Sequence, residues 1–274
     1  MTLDHRRVVA TIEARTRSTR LPAKVLAMVE GQPLLQWVIE RARAAASVDY
    51  VVVATTDLPV DDPIESLAVR TGVGCFRGSE SDVMGRVLSS ARAARADDVV
   101  ALTGDNPLID PCLIDDVIEF YRAGGFDYVS TTHMHHSLNW RAERTFPVGV
   151  SVQVFPVGVL ADAAARTENP VERSHASFAI YKCPERYRLG AFLAAGKYAE
   201  WRHPELRLTV DTTEDLELMR ELFRALYHKG KQFSTLEAIK LIVADERLQR
   251  MNRHIPQNLV HQELATFRRS PTGE

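Results

Sequence analysis

Short apolar segments alternate with longer amphipathic segments throughout the first half of the chain. Brief β-branched runs, bounded by polar residues or glycine, predict strands near residues 7, 50, 72, 98 and 127. Apolar residues that recur every three to four positions predict helices at 32–46, 62–71, 82–95 and 111–123. This alternation requires a largely parallel sheet with helices on both faces, so we expect an α/β fold. In such sheets, ligands bind beyond the carboxyl ends of the strands.

The second half has a less regular pattern. The segment 133–148 is polar and rich in His and Arg, which predicts a long loop. We expect strands in FPVGVSVQVF (146–155) and ELRLTV (205–210), and helices at 171–181, 211–230 and 234–246. Thr212 or Thr213 can cap the second of these helices. No repeat or linker divides the chain, so we predict a single domain at 1–250, with a distinct loop and strand at 132–155 and a C-terminal arm at 251–274.

Composition excludes several classes of protein. The 274 residues carry a formal net charge of -2, which argues against a general nucleic-acid binder. No apolar stretch approaches the roughly 18 residues of a membrane helix, and the N-terminus lacks the apolar region of a signal peptide. Cys75, Cys112 and Cys183 are scattered, as is typical of a reducing compartment. We therefore expect a cytoplasmic protein that binds neither nucleic acid nor membranes.

A basic segment, EARTRSTRLPAKVL, follows the first predicted strand. Its cations and hydroxyls are Arg15, Arg17, Ser18, Thr19, Arg20 and Lys24. Arginine offers a bidentate fork and lysine a point charge, so a basic loop at the carboxyl end of a strand suits a polyphosphate. A solvated basic loop is the alternative.

Two aspartates also follow predicted strands directly. Asp105 lies in LTGDNPLID, and Asp211 lies in LRLTVDTTED. Either could be a turn or helix-cap residue when considered alone. Together they could meet across the sheet edge and, beside the basic loop, form a site for magnesium and a triphosphate, because Mg²⁺ takes one or two carboxylates plus phosphate oxygens.

Other nucleotide and hydrolase motifs are missing from the sequence. It contains no GxxxxGK[ST], GxGxxG, GxSxG or HExxH. The histidines of THMHHS, His133, His135 and His136, could bind a metal or simply face solvent. His175, close to Glu172 and Arg173, could cap a helix or contact a second substrate.

Five motifs in order resemble those of a known family: AR-x-x-STRLP-x-K, ATT-x-x-x-x-DD-x-I, FRGSE-x-DV, LTGD-x-P-LID and RLTVDT-x-EDL. They are similar to the cytidylyltransferases of the spore-coat polysaccharide biosynthesis type, relatives of CMP-Kdo and CMP-sialate synthetases. The resemblance covers about residues 8–226. It implies a Rossmann-like (GT-A-like) nucleotidyltransferase fold, CTP as the nucleotide, Mg²⁺ as the cofactor and a homodimer. The implied reaction is attack by an acceptor oxygen on the α-phosphorus, with release of pyrophosphate.

The resemblance also implies roles for individual residues. Arg15, Lys24, Asp105 and Asp211 would be catalytic, and both aspartates would bind the metal. The implied nucleotide-binding residues are Arg15, Ser18, Arg20, Lys24, Arg77, Gly78, Ser79, Asp82 and Thr103. The implied acceptor-binding residues are Arg141, Arg144, Ser151, Gln153, Glu172 and His175, so the loop and strand at 132–155 would face the acceptor.

The chain departs from the family pattern at four positions. Arg17 and Ala23 stand where the family has glycine, and Ser151 and Gln153 replace two acids. Because two negative charges are lost near the expected acceptor, we predict an anionic acceptor such as a phosphonate or an acidic sugar. The alternative is a catalytically weak homologue that binds nucleotide as a regulator or scaffold. A glycosyltransferase would need a DxD-like motif after a strand, which LTGDNP does not supply.

Overall fold

A seven-stranded mixed sheet forms the centre of the molecule. The computed structural model describes residues 5–132, 144–228 and 231–256. The strands within these ranges are β1 (Val8–Glu13), β2 (Met28–Val29), β3 (Gln32–Pro33), β4 (Tyr50–Thr56), β5 (Gly74–Gly78), β6 (Asp98–Thr103), β7 (Tyr128–Ser130), β8 (Gln153–Pro156) and β9 (Leu189–Ala191). β2 and β3 form a separate hairpin, and the others lie in the order β5-β4-β1-β6-β8-β7-β9.

Helices cover both faces of this sheet. They are α1 (Leu34–Ala44), α2 (Asp62–Thr71), α3 (Val83–Ala93), α4 (Pro111–Gly124), α5 (Val157–Ala164), α6 (Pro170–Arg173), α7 (Phe178–Tyr181), α8 (Thr213–Leu226), α9 (Thr235–Ala244) and α10 (Glu246–Asn252). Short 3-10 helices lie at Lys24–Leu26, Pro59–Asp61 and Gly196–Trp201. Among the described residues, no helix combines the length and apolar character needed to cross a membrane.

The strand directions confirm the predicted α/β fold. β5, β4, β1 and β6 run parallel, whereas β8 is antiparallel to both β6 and β7. Val8, Ala10 and Ile12 of β1 point into the larger core with α1, α4 and α8, while α3, α5 and α7 enclose a second cluster on the opposite face. The carboxyl ends of the parallel strands therefore meet at one edge, where Glu13 lies between Ala54 and Thr103.

Several predictions for the second half were wrong in extent or type. The segment ELRLTV is extended but forms no strand, because it meets the fold at one bridge, Val148 to Arg207, and through the Val210 N–H donated to Asp105 O at 2.9 Å. The predicted strand at 146–155 shrinks to β8, and the predicted helix at 171–181 is two single turns, α6 and α7. Thr212 does cap α8, in a capping box with Asp215.

The elements that were not predicted from the sequence include β2, β3, α5, β9 and α10. α5 follows β8 without a break, β9 is a three-residue edge strand, and α10 begins after Asp245 caps its first turn. α10 extends to Asn252, so the start of the predicted arm at 251–274 is helical, and residues 257–274 lie outside the described residues.

Candidate active site at the carboxyl edge of the sheet

A buried aspartate holds the loop that follows β1. Thr16 donates from its backbone N and from its Oγ1 to Asp61 Oδ1, at 2.7 and 2.6 Å. The other oxygen of Asp61 accepts from Thr56 Oγ1 at the end of β4. Asp61 is 1% exposed, and the Ala23 N–H closes the loop on Thr16 O at 2.8 Å. The loop at 14–24 therefore presents its cations from a backbone that is fixed by buried hydrogen bonds.

The two positions where this loop departs from the family's glycines differ in conformation. Ala23 has φ 56° and ψ 23°, in the left-handed region that favours glycine and costs other residues about 1–2 kcal/mol. Arg17 is not among the described residues with positive φ. Its exposed guanidinium lies 3.3 Å from Glu80 Oε2. Of these two positions, that of Ala23 alone requires a backbone conformation that favours glycine.

Lys24 brings the two predicted aspartates together. Its Nζ donates to Asp105 Oδ2 at 2.5 Å and to Asp211 Oδ1 at 2.6 Å. Thr103 Oγ1 donates to the second oxygen of Asp105 at 2.8 Å, which fixes that carboxylate at the end of β6. One ammonium thus stands where two strand-end carboxylates converge.

The second oxygen of Asp211 faces two arginines. Arg207 Nη2 donates to it, and Arg20 Nη2 lies 3.0 Å away. Arg207 is itself held by fully buried Asp215, at 2.9 Å, and Asp215 also accepts the backbone N–H of Asp211 at 2.9 Å. Asn252 on α10 donates to Asp215 at 2.9 Å. Asp211 is therefore oriented from behind by a buried network, while Arg20 and Lys24 approach it from the cavity.

The charges of this centre shift its pKa values. Burial alone would raise the pKa of Asp211, but the charges of Lys24, Arg20 and Arg207 lower it below its ordinary value. Burial would likewise lower the pKa of Lys24, but Asp105 and Asp211 raise it. Asp211 and Lys24 are therefore both charged at neutral pH.

A cavity of about 300 Å³ opens beside these charges. It is lined by Glu13, Ala14, Arg15, Arg17, Ser18, Thr19, Arg20, Lys24, Val25, Val83, Arg86, Thr103, Asp105, Ser174 and Asp211. All four predicted catalytic residues line it, together with Ser18, Arg20 and Thr103 from the predicted nucleotide set.

The other predicted nucleotide residues do not line this cavity. Arg77 donates to Asp62 and Glu65 on α2, at 2.7 Å each, so its guanidinium is committed to that helix. Gly78 and Ser79 lie at and after the end of β5. Asp82 caps α3, accepting from the Gly85 N–H at 2.9 Å, and pairs with Arg173 at 2.6 Å.

The predicted acceptor residues are mostly bonded to internal partners. Gln153 Oε1 accepts from Tyr128 OH at 3.2 Å and from Ser177 Oγ. Buried Glu172 accepts from Thr167 Oγ1 and pairs with Lys182 Nζ at 2.5 Å. The His175 ring lies 6.3 Å from the Phe178 ring, next to cavity-lining Ser174. Ser151 is half-buried just before β8.

Arg144 also lies near the charged centre. Burial and, to a lesser extent, the charge of Arg207 lower the pKa of Arg144 to about 10. The predicted acceptor residue Arg141 and the three histidines at 133, 135 and 136 lie outside the described residues.

Sequence reasoning assigned no site role to Asp61, Arg207, Asp215, Arg86 or Glu13. The motifs ATT-x-x-x-x-DD and RLTVDT-x-EDL contain Asp61, Arg207 and Asp215. Their place in these motifs was the only feature of the sequence that could have indicated a role in the site. Arg86 is buried on α3 and lines the cavity, where its guanidinium donates to the carbonyls of Ala54 and Ser79. Glu13 ends β1 and faces α3.

The residues present fit a magnesium ion better than a softer metal. Asp105 and Asp211 offer hard carboxylate oxygens that already share one cation, which is a donor set that Mg²⁺ accepts when phosphate and water complete its shell. The described residues contain no group of three or more His, Cys, Asp and Glu side chains that could hold a metal alone. The remaining ligands of a metal here would be water or the nucleotide's oxygens.

A model of the cytidylyltransferase family matches residues 9–242. The chain belongs to the cytidylyltransferase family. This confirms the resemblance found in the sequence motifs, and the matched range contains Lys24, Asp105 and Asp211.

Relatives and solved structures are similar over most of the chain. The spore coat polysaccharide biosynthesis protein SpsF of Bacillus subtilis is 33% identical over 86% of this chain and 92% of its own. The 8-amino-3,8-dideoxy-manno-octulosonate cytidylyltransferase of Shewanella amazonensis is 31% identical over 80% and 85%, respectively. A cytidylyltransferase structure from Leptospira borgpetersenii matches 93% of this chain and 100% of its own, with 28% identity and a TM-score of 0.80.

Proposed function

We propose that this cytidylyltransferase transfers CMP from CTP to a small anionic acceptor, either an acidic sugar or a phosphonate, with release of pyrophosphate. The observation that carries the proposal is the bridge from Lys24 to Asp105 and Asp211, at the mouth of a loop with three arginines. Family membership supports the reaction class, and the geometry supports a triphosphate at this loop.

Each side chain has a role that follows from its charge and place. Arg15, Arg20 and Lys24 bind the triphosphate oxygens and neutralise the charge that builds up as pyrophosphate leaves. Ser18 and the fixed backbone of the loop orient the phosphates for in-line attack. When the triphosphate enters, Lys24 exchanges its aspartate partners for phosphate oxygens, so its charge is never left unpaired.

We propose that Asp105 and Asp211 hold Mg²⁺, with Arg207 and Asp215 fixing the rotamer of Asp211. The ion would neutralise phosphate charge and orient the reacting phosphate. Thr103 keeps Asp105 turned toward Asp211 through its hydroxyl.

The acceptor assignment rests on charge. Gln153 and Ser151 are neutral, and Arg144 contributes a positive charge, whereas the charge of Arg207 is paired with Asp211 and Asp215. An octulosonate, named in the Shewanella relative, is a sugar acid. A carboxylate or phosphonate on the acceptor would therefore be favoured over a neutral sugar.

The test is pyrophosphate release with Mg²⁺, each of the four nucleoside triphosphates, and a panel of ulosonic acids, sugar phosphates and small phosphonates. We expect turnover with CTP and one anionic class. Asp105→Asn should lower kcat by on the order of 10²-fold or more. Asp162→Asn, which changes an aspartate paired with Arg186 on the surface, is the matched control and should retain full activity.

If the protein uses neutral sugars efficiently and accepts no dianionic compound, the acceptor assignment is overturned. CTP binding without turnover across the panel would instead favour the regulator or scaffold. Cytoplasmic location, the homodimer and the single domain at 1–250 stay predictions from the sequence.

A further inference from the structure

Glu13 is a carboxyl at the floor of the cavity. It is the last residue of β1, and strand alternation turns its side chain away from the face of Ile12 and toward α3. Val83 and Arg86 of α3 line the same part of the cavity. The charged groups that act on Glu13 are Arg86 on α3, Asp105 after β6 and Arg15 in the basic loop.

This carboxyl lacks a partner in the part of the chain that the structure describes. No hydrogen bond or ion pair to Glu13 Oε1 or Oε2 forms there, although Arg15, Arg17 and Arg86 line the same cavity. Arg86 is occupied by two carbonyls, and Arg17 is paired with Glu80. Burial raises the pKa of Glu13 to about 7 although the charges of Arg86 and Arg15 lower it, so a hydrogen-bond donor from a ligand would stabilise the charged carboxylate.

The backbone groups next to the Glu13 side chain already form hydrogen bonds within the fold. Glu13 O accepts from the Gly104 N–H at 2.8 Å, and the Ala14 N–H donates to Ala54 O at 3.3 Å. A ligand group that reaches the end of β1 therefore meets the Glu13 side chain as its hydrogen-bond acceptor.

The two ends of the cavity suit different parts of a nucleotide. Lys24, Asp105 and Asp211 lie at the β6 end, where the phosphates belong on charge. The other end lies under α3, which packs on β1, β4 and β5, and it combines apolar Ala14 and Val83 with Glu13 and with Arg86, whose guanidinium is occupied by two carbonyls. A flat base fits this end better than a charged phosphate does.

We propose that Glu13 is a specificity-determining residue that accepts a hydrogen bond from the exocyclic amine of cytosine and so excludes uracil. The proposal rests on the proposed function. An ionised carboxylate only accepts hydrogen bonds. Cytosine presents an amine donor at C4, whereas uracil presents a carbonyl acceptor there, and two facing acceptors repel.

Glu13→Gln tests this because the amide keeps an acceptor oxygen and gains an NH₂ that can donate to the uracil carbonyl. We expect the kcat/KM ratio of CTP over UTP at pH 8 to fall about tenfold or more, chiefly because UTP improves. Equilibrium binding of both nucleotides should show the same change. A gain with UTP cannot come from a misfolded variant. Glu221→Gln, on the far surface of α8, is the matched control.

The outcomes separate the two proposals. If the unaltered protein neither binds nor uses CTP, the proposed function fails. If it uses CTP and Glu13→Gln leaves the CTP-to-UTP ratio unchanged, the base assignment is overturned. Glu13 could instead bind the ribose, and comparing CTP with 2′-deoxy-CTP tests this alternative. If Glu13→Gln changes the kcat/KM ratio of CTP over 2′-deoxy-CTP but not that of CTP over UTP, Glu13 is assigned to the ribose and the proposal is overturned.

Discussion

The polar groups of the basic loop and those on the acceptor side are satisfied in opposite ways. Lys24 and Arg20 share carboxylates at the cavity wall, where a bound ligand can replace their partners. Gln153 and Glu172 are bonded to internal hydroxyls and Lys182. Exchanging one ion pair for another costs little, whereas opening an internal hydrogen bond leaves a buried group unpaired. The nucleotide end is therefore organised for charge exchange, and the acceptor end for a fixed shape.

Lys24→Met should break the charge-exchange end most strongly. Pyrophosphate release should fall by on the order of 10²–10³-fold, because a phosphate contact is lost and Asp105 and Asp211 repel each other. The variant should gain thermal stability on addition of Mg²⁺ without nucleotide, since a cation then replaces the ammonium. Lys240→Met, at an exposed lysine on α9, should show neither effect. Equal Mg²⁺ responses in both variants would contradict the shared-cation interpretation.

Glu13→Gln sharpens the comparison, because Glu13 lies at the nucleotide end but, unlike Asp105 and Asp211, forms no ion pair among the described residues. With its pKa raised to about 7 by burial, the folded chain keeps a proton that the unfolded chain releases near pH 4.5. Stability from this group therefore falls as pH rises from about 4.5 to 7. The variant should exceed the unaltered protein in unfolding free energy by on the order of 2 kcal/mol at pH 8, and by little at pH 4. Urea unfolding at both pH values measures this, and a pH-independent difference would contradict it.

Gln153→Glu examines the acceptor end. The carboxylate can still accept from Tyr128 and Ser177, so the fold should be retained. The added negative charge should lower kcat/KM for a dianionic acceptor by about tenfold while leaving the KM for CTP unchanged. An effect on CTP alone would place Gln153 at the nucleotide end. Gln249→Glu, at a partly exposed position of α10, is the control.

Ala23→Gly should have the smallest effect. Glycine removes the strain of the left-handed conformation but adds entropy to the unfolded chain, so we expect a gain of about 0.5 kcal/mol in unfolding free energy. Thermal unfolding measures it, with Ala199→Gly as a control expected to destabilise. A loss of stability in Ala23→Gly would show that the left-handed backbone is not strained.

The sequence predicted the parallel strands and indicated that Asp105 and Asp211 could meet beside the basic loop, because each lies beside a strong local pattern. It did not predict which cations would turn toward the cavity. Arg77 lies in a family motif, yet its side chain pairs with Asp62 and Glu65, since helix α2 passes beside β5. The partner of such a side chain depends on residues that tertiary folding brings beside it, and the local sequence pattern does not identify them.

The same reason explains the misassigned segments. ELRLTV has the alternation of a strand, with Leu206, Leu208 and Val210 buried, but its neighbour at 147–149 pairs with it at one position only. The buried network of Arg207 and Asp215 uses residues whose pattern matches a strand and a helix cap. Their role appears only when Asn252 and Asp211 are brought beside them.

The place of β8 in the sheet has a consequence for folding on the ribosome. β8 separates β6 from β7, although β7 precedes it in the chain. While the chain is being synthesised, β7 therefore has no strand to pair with until residue 156 has emerged, whereas β1, β4, β5 and β6 can assemble from the first 103 residues. The half of the sheet that carries the basic loop can thus form before the acceptor end exists, whereas Asp211 joins it later, and closing the sheet is the late, high-contact-order step of folding.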